Sequence, residues 1–185
     1  MRPNTYFDIE VVGGGGDTDM QPVVLRGRLL AMLHAFFEKH ESRYAVAIPN
    51  GGGGLRVFAT AREDLDALAA YLQPQAWFRD YARLAYPQVV PANFAGTWTS
   101  YARFRIPTLK SDRKTGDEHG QLRSRRMKSA ADARMDYFIL RSHSTGQGFT
   151  LTVQRDRGAA PIGECLPNTY GFGSSSRAFS LPDLP

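Results

Sequence analysis

Between residues 23 and 40 the apolar side chains Leu25, Leu29, Met32, Leu33 and Phe36 recur at three- and four-residue steps, with β-like runs on either side. That spacing is one buried stripe of an α-helix, so the helix must lie against a surface that the flanking strands supply. The run before it, YFDIEVV at 6–12, closes in the glycines of 13–16, a flexible connection. After it, YAVAI at 44–48 and LRVFA at 55–59 meet across a second glycine run at 51–54 and read as a hairpin with a long loop. A second helix is expected over 61–72, where Glu63 and Asp64 complement the dipole of the first turn and Leu65, Leu68 and Leu72 form the buried stripe. Helix continues or resumes over 77–84 after Pro74, and YPQVV at 86–90 returns as a strand. The order over 1–90 is β-α-β-β-α-β, that of a ferredoxin-like fold.

A chain of 185 residues, 42% hydrophobic, can bury one core or two small ones. Residues 91–96 read as a linker, dividing an α+β protein into a ferredoxin-like unit, 1–92, and a second half, 93–185. No apolar run approaches the ~20 residues of a membrane span, and the N-terminus lacks the basic-then-apolar pattern of a secretory signal. A soluble, cytoplasmic protein with no membrane partner is expected. Cys165 is the sole cysteine, which excludes an intramolecular disulfide and a cysteine-rich zinc site.

The net charge of +5 and a pI near 9.6 point to a polyanionic partner. Residues 98–134 hold ten Lys and Arg against four Asp and Glu, an excess of six that accounts for the whole net charge. Within them SYARFRI at 100–106 alternates as a strand, with Tyr101, Arg103 and Arg105 on one face and Ala102, Phe104 and Ile106 on the other. Residues 107–120 are polar and read as a loop. Residues 121–134 should be helical, with Arg123, Arg125, Arg126 and Lys128 spread around the wheel, so that this helix projects toward a partner and does not lie flat on a core. Guanidinium groups on several sides suit a nucleic-acid groove with phosphates on both flanks; the same pattern also describes a solvated surface helix.

Two further features carry chemistry. RSHSTGQGF at 141–149 sets hydroxyls, an imidazole and a guanidinium between the strand-like runs YFIL (137–140) and FTLTV (149–153), and reads as an active-site turn able to grip a phosphate. Its composition equally suits an ordinary serine-rich hairpin loop. On the first helix, His34 falls about 180° from Leu25, on a face that it shares with Gly27, Ala31 and Glu38. Small residues there leave room for a ligand, although a solvated histidine would look the same. Near the end of the chain, TYGFGSSSR at 169–177 puts Tyr170 in a glycine-rich turn before a proline-limited tail.

These pieces, in this order, resemble the type I-F CRISPR repeat-RNA endonucleases of the Csy type, which cut precursor CRISPR RNA beside a hairpin. The opening YFDI with the helix ending in MLHAF, the YAVAIP strand, RSHSTGQGF and the terminal TYGFG carry the resemblance, and SYARFR and the arginine helix fall between them where that family binds RNA. By this resemblance His34 is the catalytic histidine, Ser142 the serine that positions phosphate and hydroxyl, and Tyr170 the orienting tyrosine. An alignment without an insertion in the first loop would put Leu30 in the histidine's place, but only His34 keeps the family's helix-to-strand distance. Ser144 and Thr145 match further active-site hydroxyls, Phe149 an aromatic that meets a base at the foot of the stem, and Arg103 an arginine that reads the stem's major-groove edge. At Arg105 the family more often has glutamine. His143 receives no role.

The chemistry this implies is transesterification without metal or cofactor, in which the ribose 2′-hydroxyl attacks the neighbouring phosphate and His34 removes its proton. The partners implied are the crRNA repeat hairpin and the other subunits of a type I-F-like CRISPR effector complex. Two rivals are a non-catalytic hairpin-binding subunit, which His34, Ser142 and Tyr170 together disfavour, and a small-molecule-binding ferredoxin-like domain, which explains neither the arginine helix nor the STGQ turn.

Overall fold

The computed structural model describes residues 1–13, 21–50, 53–107, 117–141, 146–160, 164–174 and 176–185. Among them the chain is a mixed α+β protein with two antiparallel sheets and four helices.

The first sheet is built around β1 (Thr5–Val11), whose Phe7 and Ile9 are fully buried. Its order is β2-β3-β1-β4, with β2 at Tyr44–Ala47, β3 at Gly54–Ala59 and β4 at Ala82–Leu84; a short β5, Gln88–Val89, also pairs with β1. The expected hairpin is present as β2 against β3, with Val46 opposite Val57. Helices α1 (Pro22–Phe37) and α2 (Arg62–Leu72) bury the leucines that their periodicity marks.

The segment 77–84 departs from the sequence expectation. Helix α3, Ala76–Tyr81, stops short, and Ala82–Leu84 become the strand that places Ala82 opposite Val11 and Leu84 opposite Ile9. Along the edge of β1 that β3 does not cover, backbone groups need partners, and this demand outweighs the helical propensity of a short apolar stretch. The expected strand at 86–90 shrinks to the two residues of β5.

The second sheet has the order β7-β8-β6-β9, with β6 at Trp98–Phe104, β7 at Asp136–Arg141, β8 at Gly148–Arg157 and β9 at Ser180–Pro182. Strand β9 falls in what the sequence presents as a proline-limited tail. It pairs with β6 through Leu181 opposite Thr99, and both Ser180 and Leu181 are fully buried. Helix α4, Asp117–Asp132, starts earlier than expected and carries the basic cluster.

Helix α1 joins the two sheets. A Cβ at Gly27 would lie 2.1 Å from the carbonyl oxygen of Ile139, so the helix backbone rests directly on β7. Glycine permits this approach because it has no side chain. The small-residue face of α1 is therefore covered at Gly27 by a strand, and β7 does not present an open edge there. Beside this contact Asp136 pairs with Arg26 of α1 at 3.7 Å and with Arg155 of β8 at 2.8 Å, while Arg155 also donates to the Asn50 side chain at 3.2 Å. A second tie runs from Arg56 of β3, held by both carboxylate oxygens of Asp8, to the carbonyl oxygens of Leu184 and Pro185. Burial opposes the Arg56 charge, but its pairing with Asp8 prevails and raises its pKa above the ordinary value.

Candidate active site

His34 sits in the last turn of α1, where the helix emerges between the two sheets, with its side chain 24% exposed. Its Nδ1 lies 3.0 Å from the carbonyl oxygen of Thr169. A carbonyl only accepts, so this bond requires the hydrogen on Nδ1 and leaves Nε2 as the atom that can take up a proton. Glu38, one turn on, places Oε1 3.5 Å from Nε2. The Tyr170 ring stacks on the imidazole, with centroids 4.0 Å apart and planes 14° apart. Burial raises the pKa of the Tyr170 phenol; Glu38 adds to the rise and Arg103 opposes it, so the hydroxyl is neutral around pH 7.

The turn that brings Thr169 and Tyr170 to His34 has its own construction. The Gly171 N–H donates to the Asn168 carbonyl at 2.8 Å, closing a β-turn with Thr169 and Tyr170 at its centre. The Asn168 Oδ1 accepts from the Tyr170 N–H at 2.8 Å and from the Phe172 N–H at 3.4 Å. Gly171, at φ +80°, packs against Val46 and accepts the Val46 N–H at 2.8 Å, clipping the turn to the edge of β2. Asn at the first position and Gly at the fourth are the residues such a turn favours. Two residues further on, Gly173 exchanges backbone hydrogen bonds with β6, donating to Tyr101 at 2.8 Å and accepting from Arg103 at 3.0 Å.

This stitching explains where the basic strand points. Arg103 lies near enough to Tyr170 for its charge to act on the phenol. Tyr101, which alternation groups with Arg103 and Arg105 on one face of the strand, is only 4% exposed, donates its hydroxyl to the Ile48 carbonyl at 3.4 Å and carries the Arg155 guanidinium over its ring. Arg105 is exposed, and its carbonyl accepts from Arg126 Nη1 at 2.8 Å. Arg126 also lies over the Phe104 ring, 5.1 Å from its centroid, so α4 is held to β6 on that side. On the same helix Arg125 is exposed, Lys128 pairs with Asp132 at 2.7 Å, and Arg123 approaches the Met127 sulfur.

The family model described as "CRISPR-associated protein (Cas_Csy4)" matches residues 6–182. The chain belongs to the Cas_Csy4 family. Membership makes it a CRISPR-associated protein of crRNA processing, in a family of endoribonucleases. No curated protein matches the chain. Among solved structures it is similar to "Crystal structure of Putative Chlorite dismutase TA0507" at 9% identity and TM-score 0.33, over 88% of this chain and 81% of that one.

Of the residues that the family resemblance singles out, the structure brings His34, Tyr170 and Arg103 into one neighbourhood. Leu30, the discarded alternative to His34, is fully buried in the core of this Cas_Csy4 protein. The strands flanking the STGQ turn pair as expected, with Arg141 opposite Gly148, and Phe149 is half-buried opposite Leu140. Ser142, His143, Ser144 and Thr145 lie outside the described residues. Among the described residues no three His, Cys, Asp or Glu side chains group as metal ligands, and no helix is long and apolar enough to cross a membrane. Sequence reasoning passed over Asn168 and Thr169. The N-x-x-G spacing around Tyr170 marks the turn, but only the fold shows that its second carbonyl meets an imidazole 135 residues away.

Proposed function

We propose that this protein binds the stem-loop of a type I-F CRISPR repeat in precursor crRNA, cuts at the 3′ base of the stem without a metal ion, and stays on the product as the 3′ cap of the effector complex. The observation that carries the reading is the pair of contacts on His34. With Nδ1 donating to Thr169 and the ring face against Tyr170, the lone pair of Nε2 is directed away from the backbone and can accept a proton. In the proposed reaction Nε2 takes the 2′-hydroxyl proton while Ser142 holds that hydroxyl in line. The 2′-oxygen bonds to phosphorus, the bond to the 5′-oxygen breaks, and that oxygen leaves and is protonated. The products are a 2′,3′-cyclic phosphate and a 5′-hydroxyl.

In the same reading Ser144, Thr145 and Phe149 line the foot of the stem, Arg103 and Arg105 read its lowest pairs, and Arg123, Arg125, Arg126 and Lys128 meet its phosphates. The A-form major groove is deep and narrow, so a basic helix needs the open end of a short hairpin, which a repeat stem provides. The antiparallel order β2-β3-β1-β4 supports a ferredoxin-like first unit over 1–92, with an RNA-binding half over 93–185 and the site between them. The cytoplasm, beside the other effector subunits, is the place of action.

The test is cleavage of a repeat hairpin in excess chelator, with and without a single 2′-deoxy substitution before the cut. Cleavage of the all-ribose substrate alone, leaving a cyclic phosphate, is expected. Strict dependence on magnesium, or cutting of the deoxy substrate, overturns the mechanism.

A further inference from the structure

We infer that Asn168 is a positioning residue for His34, and that its side chain decides which imidazole nitrogen carries the hydrogen. This rests on the reading of His34 as the general base. Three observations support it. Oδ1 of Asn168 accepts the N–H of Tyr170, the residue whose ring stacks on the imidazole, and also approaches the N–H of Phe172. The Asn168 carbonyl accepts the Gly171 N–H, so the same residue holds the turn through side chain and backbone together. Between those anchor points lies the Thr169 carbonyl, the acceptor for His34 Nδ1 at 3.0 Å.

The chemistry gives the relationship a direction. A neutral imidazole carries one ring hydrogen, and the partner of one nitrogen fixes the role of the other. With the Thr169 carbonyl held in place, the hydrogen stays on Nδ1 and Nε2 is bare. Without Oδ1, the half-buried Tyr170 N–H loses its acceptor, and the peptide between Thr169 and Tyr170 can rotate to find another. The carbonyl then turns away from Nδ1. Glu38 Oε1, 3.5 Å from Nε2, becomes the nearest acceptor for a ring hydrogen, and a hydrogen placed there blocks the base. Gly171 remains clipped to Val46, so the turn keeps its place on β2 while its inner geometry is lost.

The experiment compares Asn168→Ala and Asn168→Asp with the parent protein as full-length chains. Aspartate keeps an oxygen acceptor at Oδ; alanine does not. Long-range ¹H–¹⁵N spectra of the RNA-free proteins, with the His34 ring assigned by its absence in His34→Ala, report the tautomer without any cleavage. The parent and Asn168→Asp should show neutral His34 with hydrogen on Nδ1, whereas Asn168→Ala shifts toward hydrogen on Nε2. In single-turnover cleavage of the repeat hairpin, Asn168→Ala should be slower by about 10- to 100-fold, the range seen when the group orienting a metal-bound imidazole is removed. Its hairpin affinity should be unchanged, and Asn168→Asp should restore the rate. An unaltered tautomer in Asn168→Ala overturns the inference, as does equal loss of rate in both variants. If the parent protein cuts no repeat hairpin, the general-base reading fails, while the spectra still decide whether Asn168 sets the tautomer.

Discussion

The Tyr170 ring lies parallel to the His34 imidazole, with centroids 4.0 Å apart and planes inclined by 14°. Contact through the ring faces means that the aromatic plane of Tyr170, more than its hydroxyl, holds the histidine. Tyr170→Phe should therefore keep most of the single-turnover rate, whereas Tyr170→Leu should lose about tenfold, since a stacked pair contributes up to about 1.5 kcal/mol. His34→Ala should lower the rate by about 10²-fold or more with hairpin affinity nearly unchanged. Equal rate losses in the Phe and Leu variants would shift the role to the hydroxyl, and a loss of affinity without loss of rate in His34→Ala would remove the histidine from the chemistry.

Arg103 and the arginines of α4 should separate in binding assays. Arg103 sits on β6 beside Tyr170, where a planar guanidinium can meet the edge of a base pair. Arg103→Ala is expected to cost about 1 to 3 kcal/mol on the cognate stem and much less on a stem with that pair changed. Arg125→Ala and Lys128→Ala should weaken binding to many stems alike and reduce the log-log salt slope by about one unit or less. Arg126→Ala should do more than either, because it also releases α4 from the Phe104 ring and the Arg105 carbonyl. Identical behaviour across stems for all four variants would remove the base-reading role from Arg103.

Gly27 offers a test of the junction between the sheets. An added Cβ would sit 2.1 Å from the Ile139 carbonyl oxygen, a backbone atom that can move only if β7 moves. Gly27→Ala improves helix propensity, yet overpacking should dominate and cost about 1 to 3 kcal/mol, or several degrees of Tm by calorimetry. An unchanged or raised Tm would mean that α1 and β7 are not held in this contact.

The Cys165 thiol is pushed up to about 11 from its ordinary 9.0, chiefly by burial, with the N-terminal ammonium opposing. A thiol whose pKa is higher folded than unfolded adds no pH-dependent stability below pH 9; above it, the unfolded chain ionises first and stability falls until the folded thiol titrates as well. At pH 8 a chromogenic disulfide reagent should therefore leave Cys165 unlabelled in the native protein and label it in urea. Prompt labelling of the native protein would place the thiol at the surface.

The periodicity of α1 and α2, the hairpin of β2 and β3 and the strand pair around the STGQ turn were legible from the chain, because each depends on neighbours a few residues away. Family membership was legible for the same reason, since short stretches such as MLHAF and TYGFG keep their residues together. What the chain alone could not determine is which backbone edges lack partners. That decided the conversion of Ala82–Leu84 from expected helix to β4 and drew Ser180–Pro182 out of the tail as β9. It also could not show that Tyr101 turns inward to Ile48, since alternation tells two faces of a strand apart without saying which one another sheet will cover. Glu38 beside His34 follows from helical spacing, but the contacts of the imidazole with Thr169 and Tyr170 belong to the tertiary structure. Helical position put the imidazole on a small-residue face, but the hydrogen on its Nδ1 depends on a carbonyl 135 residues away, delivered by a turn that is anchored to β2 and β6.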